Sequence, residues 1–211
     1  MPRVHRVFPY RSDATDTEPG GPLFVPAVQG AGRLDNPEQY RVLYVAADPD
    51  GAVGEAFGYH RIWTTELLAG APALPGSVMA LGVYELRSAL LDLDEPAALV
   101  ARELRPSRVV SRDRTVTQRW ALDIWRERRW AGVQWWSYWN PDWAVGGVWS
   151  PERLEVIAVT PLTADHAAVG RPRRSTGPGA EPVSAAGPPL RRGGSGGTLP
   201  AAGAVHRGGR S

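Results

Sequence analysis

Two residues suggest chemistry from their setting alone. Glu55 ends the run Ala52-Val53-Gly54-Glu55, a carboxylate set among small and apolar side chains. A carboxylate is costly to desolvate without a partner, so Glu55 points either at solvent or into a site that uses it. Arg33 lies in Gly30-Ala31-Gly32-Arg33-Leu34-Asp35-Asn36-Pro37. An arginine presented by glycine can clamp a phosphate, because its planar fork engages two oxygens at once. Alone, the same stretch also reads as a solvated surface arginine. Gly30-Ala31-Gly32 lacks the third glycine of a dinucleotide fingerprint, and no clear strand precedes it.

Other candidates are weaker. Eight of the nine tryptophans fall between Trp120 and Trp149. Such rings stack on sugars, bases or nicotinamide, or they build a core. Trp135 and Trp136 are adjacent on an expected strand and face opposite sides, which leaves one of them to line a pocket. The four histidines show no metal-ligand spacing and no Ser/His/Asp arrangement. Gly193-Gly194-Ser195-Gly196-Gly197 matches the GxSxG pattern of hydrolases. Neither the strand before it nor the helix after it is present, so it reads as linker.

Composition narrows the chemistry further. The 211 residues include no cysteine, which removes disulfides, thiolate nucleophiles and sulfur-ligated zinc, and fits a reducing cytoplasm. All 24 basic residues are arginine, so Schiff-base lysine chemistry and a lysine-bearing phosphate loop are excluded. The pI of about 9.3 overstates the basicity of the folded part. Residues 164–211 carry net +5 and residues 1–163 net −3. Direct nucleic-acid binding is therefore not expected. Neither a signal peptide nor a membrane-spanning stretch is expected.

The elements that would position Glu55 and Arg33 follow from pattern. Strands are expected at 41–46, 78–87, 133–139 and 154–159, from β-branched, aromatic and aliphatic content. Helices are expected at 52–68, 95–105 and 116–130, the second with Asp94 as N-cap. Strands and helices mix without a βαβ rhythm, which predicts an α+β fold over residues 1–168. Residues 169–211 are Gly- and Pro-rich and lack aromatics, and read as a disordered Arg/Gly/Pro-rich tail.

Four fragments then fall in a recognisable order. Val4–Pro9, Gly32–Pro37, Val42–Phe57 and Trp130–Ser137 resemble the RES-domain family, in which Gly-Arg, a Tyr-x-Ala strand, a glutamate eleven places after that tyrosine, and a later Gly-Ile-x-Tyr-x-Ser follow one another. Tyr44 and Glu55 are eleven apart, and Gly132–Ser137 matches the last element with Trp135 in place of tyrosine. The resemblance implies a fold like that of ADP-ribosyltransferase toxins and NAD+ as substrate rather than as a resident cofactor. It implies a bacterial toxin neutralised by a partner with an Xre-like helix-turn-helix domain. It also implies Glu55 and Ser137 as catalytic residues and Arg33, Tyr44 and Arg6 as NAD+-binding residues. In that reading Arg33 holds the pyrophosphate and Tyr44 stacks on nicotinamide. Ser137 bonds nicotinamide or ribose, and the small residues 52–54 let substrate approach Glu55. The competing expectation is a non-catalytic, tryptophan-rich module that grips a nucleotide, sugar or protein; such a module has no need of a buried carboxylate at position 55.

Overall fold

The computed structural model describes residues 1–60 and 63–170. The tail expected from 169 lies, from 171 onward, outside the described residues. Seven strands form one sheet in the order β4-β5-β6-β2-β1-β3-β7. They are β1 (Arg3–Tyr10), β2 (Leu43–Ala46), β3 (Val78–Leu86), β4 (Leu90–Asp92), β5 (Gly132–Trp136), β6 (Ala144–Val148) and β7 (Leu154–Pro161). Every pairing is antiparallel except β4 with β5. The helices are α1 (Pro49–Phe57), α2 (Pro96–Val100), α3 (Pro106–Val109), α4 (Arg114–Arg126) and α5 (Ala167–Gly170). The expected α+β class holds.

The sheet is apolar on both faces, and β2 shows the division. Val42 and Ala46 join one core cluster, with Val53 and Phe57 of α1 and Trp120 and Ile124 of α4. Leu43 and Val45 point the other way, into a second cluster with Val4, Tyr84 and Leu86, against which Leu23 and Val25 pack. Alternation along a strand thus hands successive residues to different cores. Helices cover the first face. The segment through Leu23 and Val25 covers the second, pinned where Tyr84 Oη donates to Pro22 O at 2.8 Å.

Several boundaries differ from the sequence expectation for physical reasons. α1 begins at Pro49, not Ala52, because Asp48 caps it: Gly51 N donates to Asp48 Oδ1 at 2.7 Å. It stops at Phe57 instead of running to Leu68, which lies in a separate 3-10 turn, Thr65–Leu68. The expected helix 95–105 is reduced to α2, which closes before the left-handed Glu103 (φ 51°). α4 starts two residues early, at Arg114, capped by Asp113, whose carboxylate accepts from Thr115 N. Strands β1, β4 and β6 were not expected. β6 reads as a loop because of Gly146-Gly147, yet it pairs on both sides. The glycines fit there because the space is filled: a Cβ at Gly147 would lie 2.4 Å from Leu34 Cδ1 and 2.6 Å from Val42 Cγ1.

Three buried tryptophans, Trp120, Trp135 and Trp149, are core residues, and the other six are partly buried. Two of those six rest on α1. A Cβ at Gly54 would lie 2.1 Å from Trp143 Cζ3, and one at Gly58 would lie 2.4 Å from Trp139 Cε2. The indoles therefore lie directly on the helix backbone. Alanine normally stabilises a helix interior by up to about 1 kcal/mol over glycine. Here overpacking costs about 1–3 kcal/mol, and a contact this short belongs at the upper end. Gly54→Ala is expected to lower stability by about 1–2 kcal/mol, read by denaturant titration. A gain in stability would show that Trp143 is not seated on the helix.

Candidate active site

Glu55 projects from the last turns of α1 toward the segment after β5. Ser137 Oγ donates to Glu55 Oε1 at 2.5 Å and accepts from Trp139 N at 3.0 Å. Ser137 N donates to Trp143 O at 2.8 Å, which locks the serine at the end of β5. Ser137 is only 2% exposed, whereas Glu55 is exposed to solvent, which departs from the expectation of a buried carboxylate at position 55. The protein around that side chain raises its carboxyl above the ordinary glutamate value. The Ser137 bond and then the positive charge of Arg33 oppose the rise. Ala52, Val53 and Gly54 are buried, and Trp143 occupies the space over Gly54. Their smallness serves helix packing, which corrects the expectation that they admit substrate.

Arg33 sits on the loop before β2. Its Nη1 donates to Val109 O at 2.7 Å and to Ser111 O at 2.8 Å, and its guanidinium lies 5.8 Å from the centre of the Trp135 ring. Trp135, which stands where the family pattern has tyrosine, is thus a buried floor under the arginine, packed edge-on against Trp120. Burial lowers the Arg33 pKa, as does the charge of Arg114; Glu55, Tyr44 and Tyr59 act in the opposite direction. Beyond Glu55 an aromatic rim is open to solvent. Tyr59, Trp139 and Tyr138 step edge to face at 5.0 and 5.3 Å, and Arg112 lies over Tyr138 and donates to its hydroxyl.

The loop that presents Arg33 is built around Asp35, which the sequence reading passed over. This carboxylate is 6% exposed. Its Oδ2 accepts from Gly30 N at 2.8 Å and Gly32 N at 2.7 Å, and its Oδ1 accepts from Tyr44 Oη at 2.7 Å. Tyr44 Oη in turn accepts from Leu34 N at 2.9 Å. Gly32 is required for this approach, since a Cβ there would lie 2.2 Å from Tyr44 Oη. Burial first, and then the bond to Asp35, push the Tyr44 hydroxyl far above its ordinary value, so it stays protonated. From α4, Gln118 Nε2 donates to Gly30 O at 2.9 Å and to Gly32 O at 3.0 Å. The signal was present as Gly-x-Gly-x-x-Asp, with an acceptor three residues after an amide that needs one.

Arg33, Tyr44, Glu55 and Ser137 are therefore brought to one side of the sheet. Arg6 is not. Its strand position shares parity with Val4, so its side chain goes to the second core, where Nη1 donates to Pro22 O and Phe24 O, both at 3.1 Å. Its nearest aromatic face is Phe8, at 5.3 Å.

A family model described as the RES domain matches residues 3–167. The chain belongs to the RES-domain family. Among solved structures it is similar to a chain of the crystal structure of the M. tuberculosis MbcT–MbcA toxin–antitoxin complex. That likeness has a TM-score of 0.54 at 20% identity and covers 76% of this chain and 84% of that chain. The similarity is one of fold. No curated protein matches. Among the described residues no helix is long and apolar enough to cross a membrane.

Removing the Asp35 charge should loosen the Arg33 loop. Asp35→Ala leaves two backbone amides and a tyrosine hydroxyl without their acceptor in a buried setting. Each such loss costs about 1–3 kcal/mol, partly recovered by relaxation. A net destabilisation of about 2–4 kcal/mol in denaturant titration is expected. A variant as stable as the parent would remove Asp35 from its place as the organiser of the loop.

Proposed function

We propose that this RES-domain chain is an NAD+-consuming toxin that cleaves the nicotinamide–ribose bond and is neutralised by a cognate antitoxin carrying an Xre-like helix-turn-helix domain. The observation that carries the reading is the Ser137–Glu55 hydrogen bond on the same side of the sheet as Arg33. The similarity in fold to a chain of a toxin–antitoxin complex supports the partner. A non-catalytic module would have no use for a glutamate held by a buried serine with its carboxyl raised above the ordinary value.

In this reading Arg33 binds the diphosphate with the donors that its two backbone acceptors leave unused. The C1′–nitrogen bond breaks, and its electron pair leaves with nicotinamide, which becomes neutral. Positive charge develops on the ribose, as in other glycosidic cleavages. The Glu55 carboxylate stabilises that charge from a fixed position. The acceptor, whether water, phosphate or a nucleophile on a macromolecule, then bonds to C1′, and Glu55 is placed to take its proton. Ser137 is too enclosed to reach far from Glu55. It acts by holding Oε1 and favouring the ionised form, which makes it a positioning residue. Tyr44, tied by its hydroxyl to Asp35 and Leu34, supports the Arg33 loop and offers at most its ring to the ligand.

Incubation of purified protein with NAD+ should release nicotinamide. Glu55→Gln keeps the acceptor for Ser137 but removes the charge, and should lose turnover by about 10²–10³-fold with binding retained. A stable Glu55→Gln protein that works at the parental rate would sink the catalytic role. The working form is the carboxylate, and its pKa is raised, so activity should fall on acidification at a higher pH than the value of 4.5 ordinary for glutamate. The Ser137 bond lowers that pKa. Ser137→Ala should therefore move the acid limb to still higher pH, as read from kcat against pH. A limb that stays put or moves to lower pH would contradict the pairing.

A further inference from the structure

Arg114 is the first residue of α4 and has no part in the reading above. Its Nε donates to Ala31 O at 3.1 Å, one residue short of the Gly32-Arg33 step. Its Nη1 is buried and has no hydrogen-bond acceptor among the described residues. Neither Arg33 nor Arg114 belongs to a salt bridge among the described residues. The two guanidinium groups are nonetheless close enough for the charge of Arg114 to act on Arg33. A buried guanidinium N–H without an acceptor is costly, and a second cation near enough to act on its neighbour adds to the cost. The fold holds them there regardless, because the loop between them is fastened to α4 by Gln118 and to β2 through Asp35 and Tyr44.

We propose that Arg114 forms a second arm of an anion clamp with Arg33, and that the pair grips the diphosphate bridge of the dinucleotide from two sides of the same loop. The assignment rests on the dinucleotide reading of the site and adds a residue to it. A diphosphate supplies what this arrangement lacks, which is several acceptor oxygens and two negative charges. Two arginines also discriminate. A nucleoside without the diphosphate satisfies neither, so affinity for it should be insensitive to Arg114.

The test is calorimetric binding in a Glu55→Gln background, where turnover does not consume the ligand. The probes are NAD+, ADP-ribose, nicotinamide riboside and inorganic phosphate. Arg114→Ala is expected to weaken NAD+ and ADP-ribose by about 10- to 150-fold while leaving nicotinamide riboside unchanged. Arg114→Lys should recover part of that loss, since it restores the charge without the fork. Gln118→Ala serves as the structural control, because it removes two loop bonds and no charge. If it weakens NAD+ as much as Arg114→Ala does, Arg114 is only a loop tether and the proposal falls. Equal weakening of the riboside, unchanged NAD+ affinity, or no binding of NAD+ or ADP-ribose would also overturn it. Loss confined to inorganic phosphate would assign Arg114 to an acceptor anion and overturn the diphosphate assignment. The parent protein separates the two readings: ADP-ribose bound through Arg114 without nicotinamide release refutes the activity alone, and nicotinamide release with Arg114→Ala binding normally refutes the clamp alone.

Discussion

Everything at the site depends on how closely α1 approaches the segment between β5 and β6. Trp143 lies on Gly54 and Trp139 on Gly58, with no Cβ between indole and helix. That contact sets the separation at which Glu55 meets Ser137. It also explains why Ser137 bonds to both tryptophan residues through the backbone, donating to Trp143 O and accepting from Trp139 N. The indoles are wedges that fix the distance, and the serine is the peg at that distance. A side chain of ordinary size at position 54 would move the helix, and the carboxylate would move with it.

The two carboxylates at the site, Asp35 and Glu55, show how environment divides roles. Asp35 is enclosed but fully supplied, with two amides on one oxygen and a phenol on the other. A charge so well partnered is a structural element, and its effect is to stiffen a loop. Glu55 has one hydrogen-bond donor and is exposed. It is crowded enough to lose solvation and too sparsely bonded to be satisfied, which is the condition under which a carboxylate responds to a charge that appears beside it. The two differ both in the number of donors and in burial, Asp35 being buried and Glu55 exposed.

How much of this was legible in the sequence follows the same physics. The α+β class and the core of β2, β3, β5 and β7 were readable because their apolar and aromatic side chains make the contacts. β6 was not, since its contacts are made by absence: Gly146 and Gly147 are the space into which Leu34, Val42 and the neighbouring strand fit. The end of α1 was hidden for a related reason, because what interrupts it is packing against Trp139 from far along the chain. Glu55, Ser137, Arg33 and Tyr44 could be named from the order of four short fragments. Asp35 stood inside one of those fragments and was overlooked, because an aspartate before Asn-Pro looks like a turn. Arg6 shows the limit of carrying a residue over from a family pattern. One residue of register decides which face it serves, and here it braces the second core with carbonyl partners.

A chain that uses arginine for every basic position must also keep its guanidinium groups from satisfying one another's acids. The surface pairs do so in the ordinary way, as Arg87 with Glu155 and Arg102 with Glu127 show. Arg33 and Arg114 form no such pair among the described residues. Arg33 anchors one nitrogen on two carbonyls, and Arg114 anchors its Nε on a third. Neutral anchors orient a guanidinium without discharging it. Had Glu55 turned to form an ion pair with Arg33, the carboxylate and the fork would have neutralised each other and neither would be available to a ligand. Ser137 instead holds Oε1 with a neutral bond. Among the described residues neither arginine forms a salt bridge with Glu55, so charge of both signs is left at the site for a ligand.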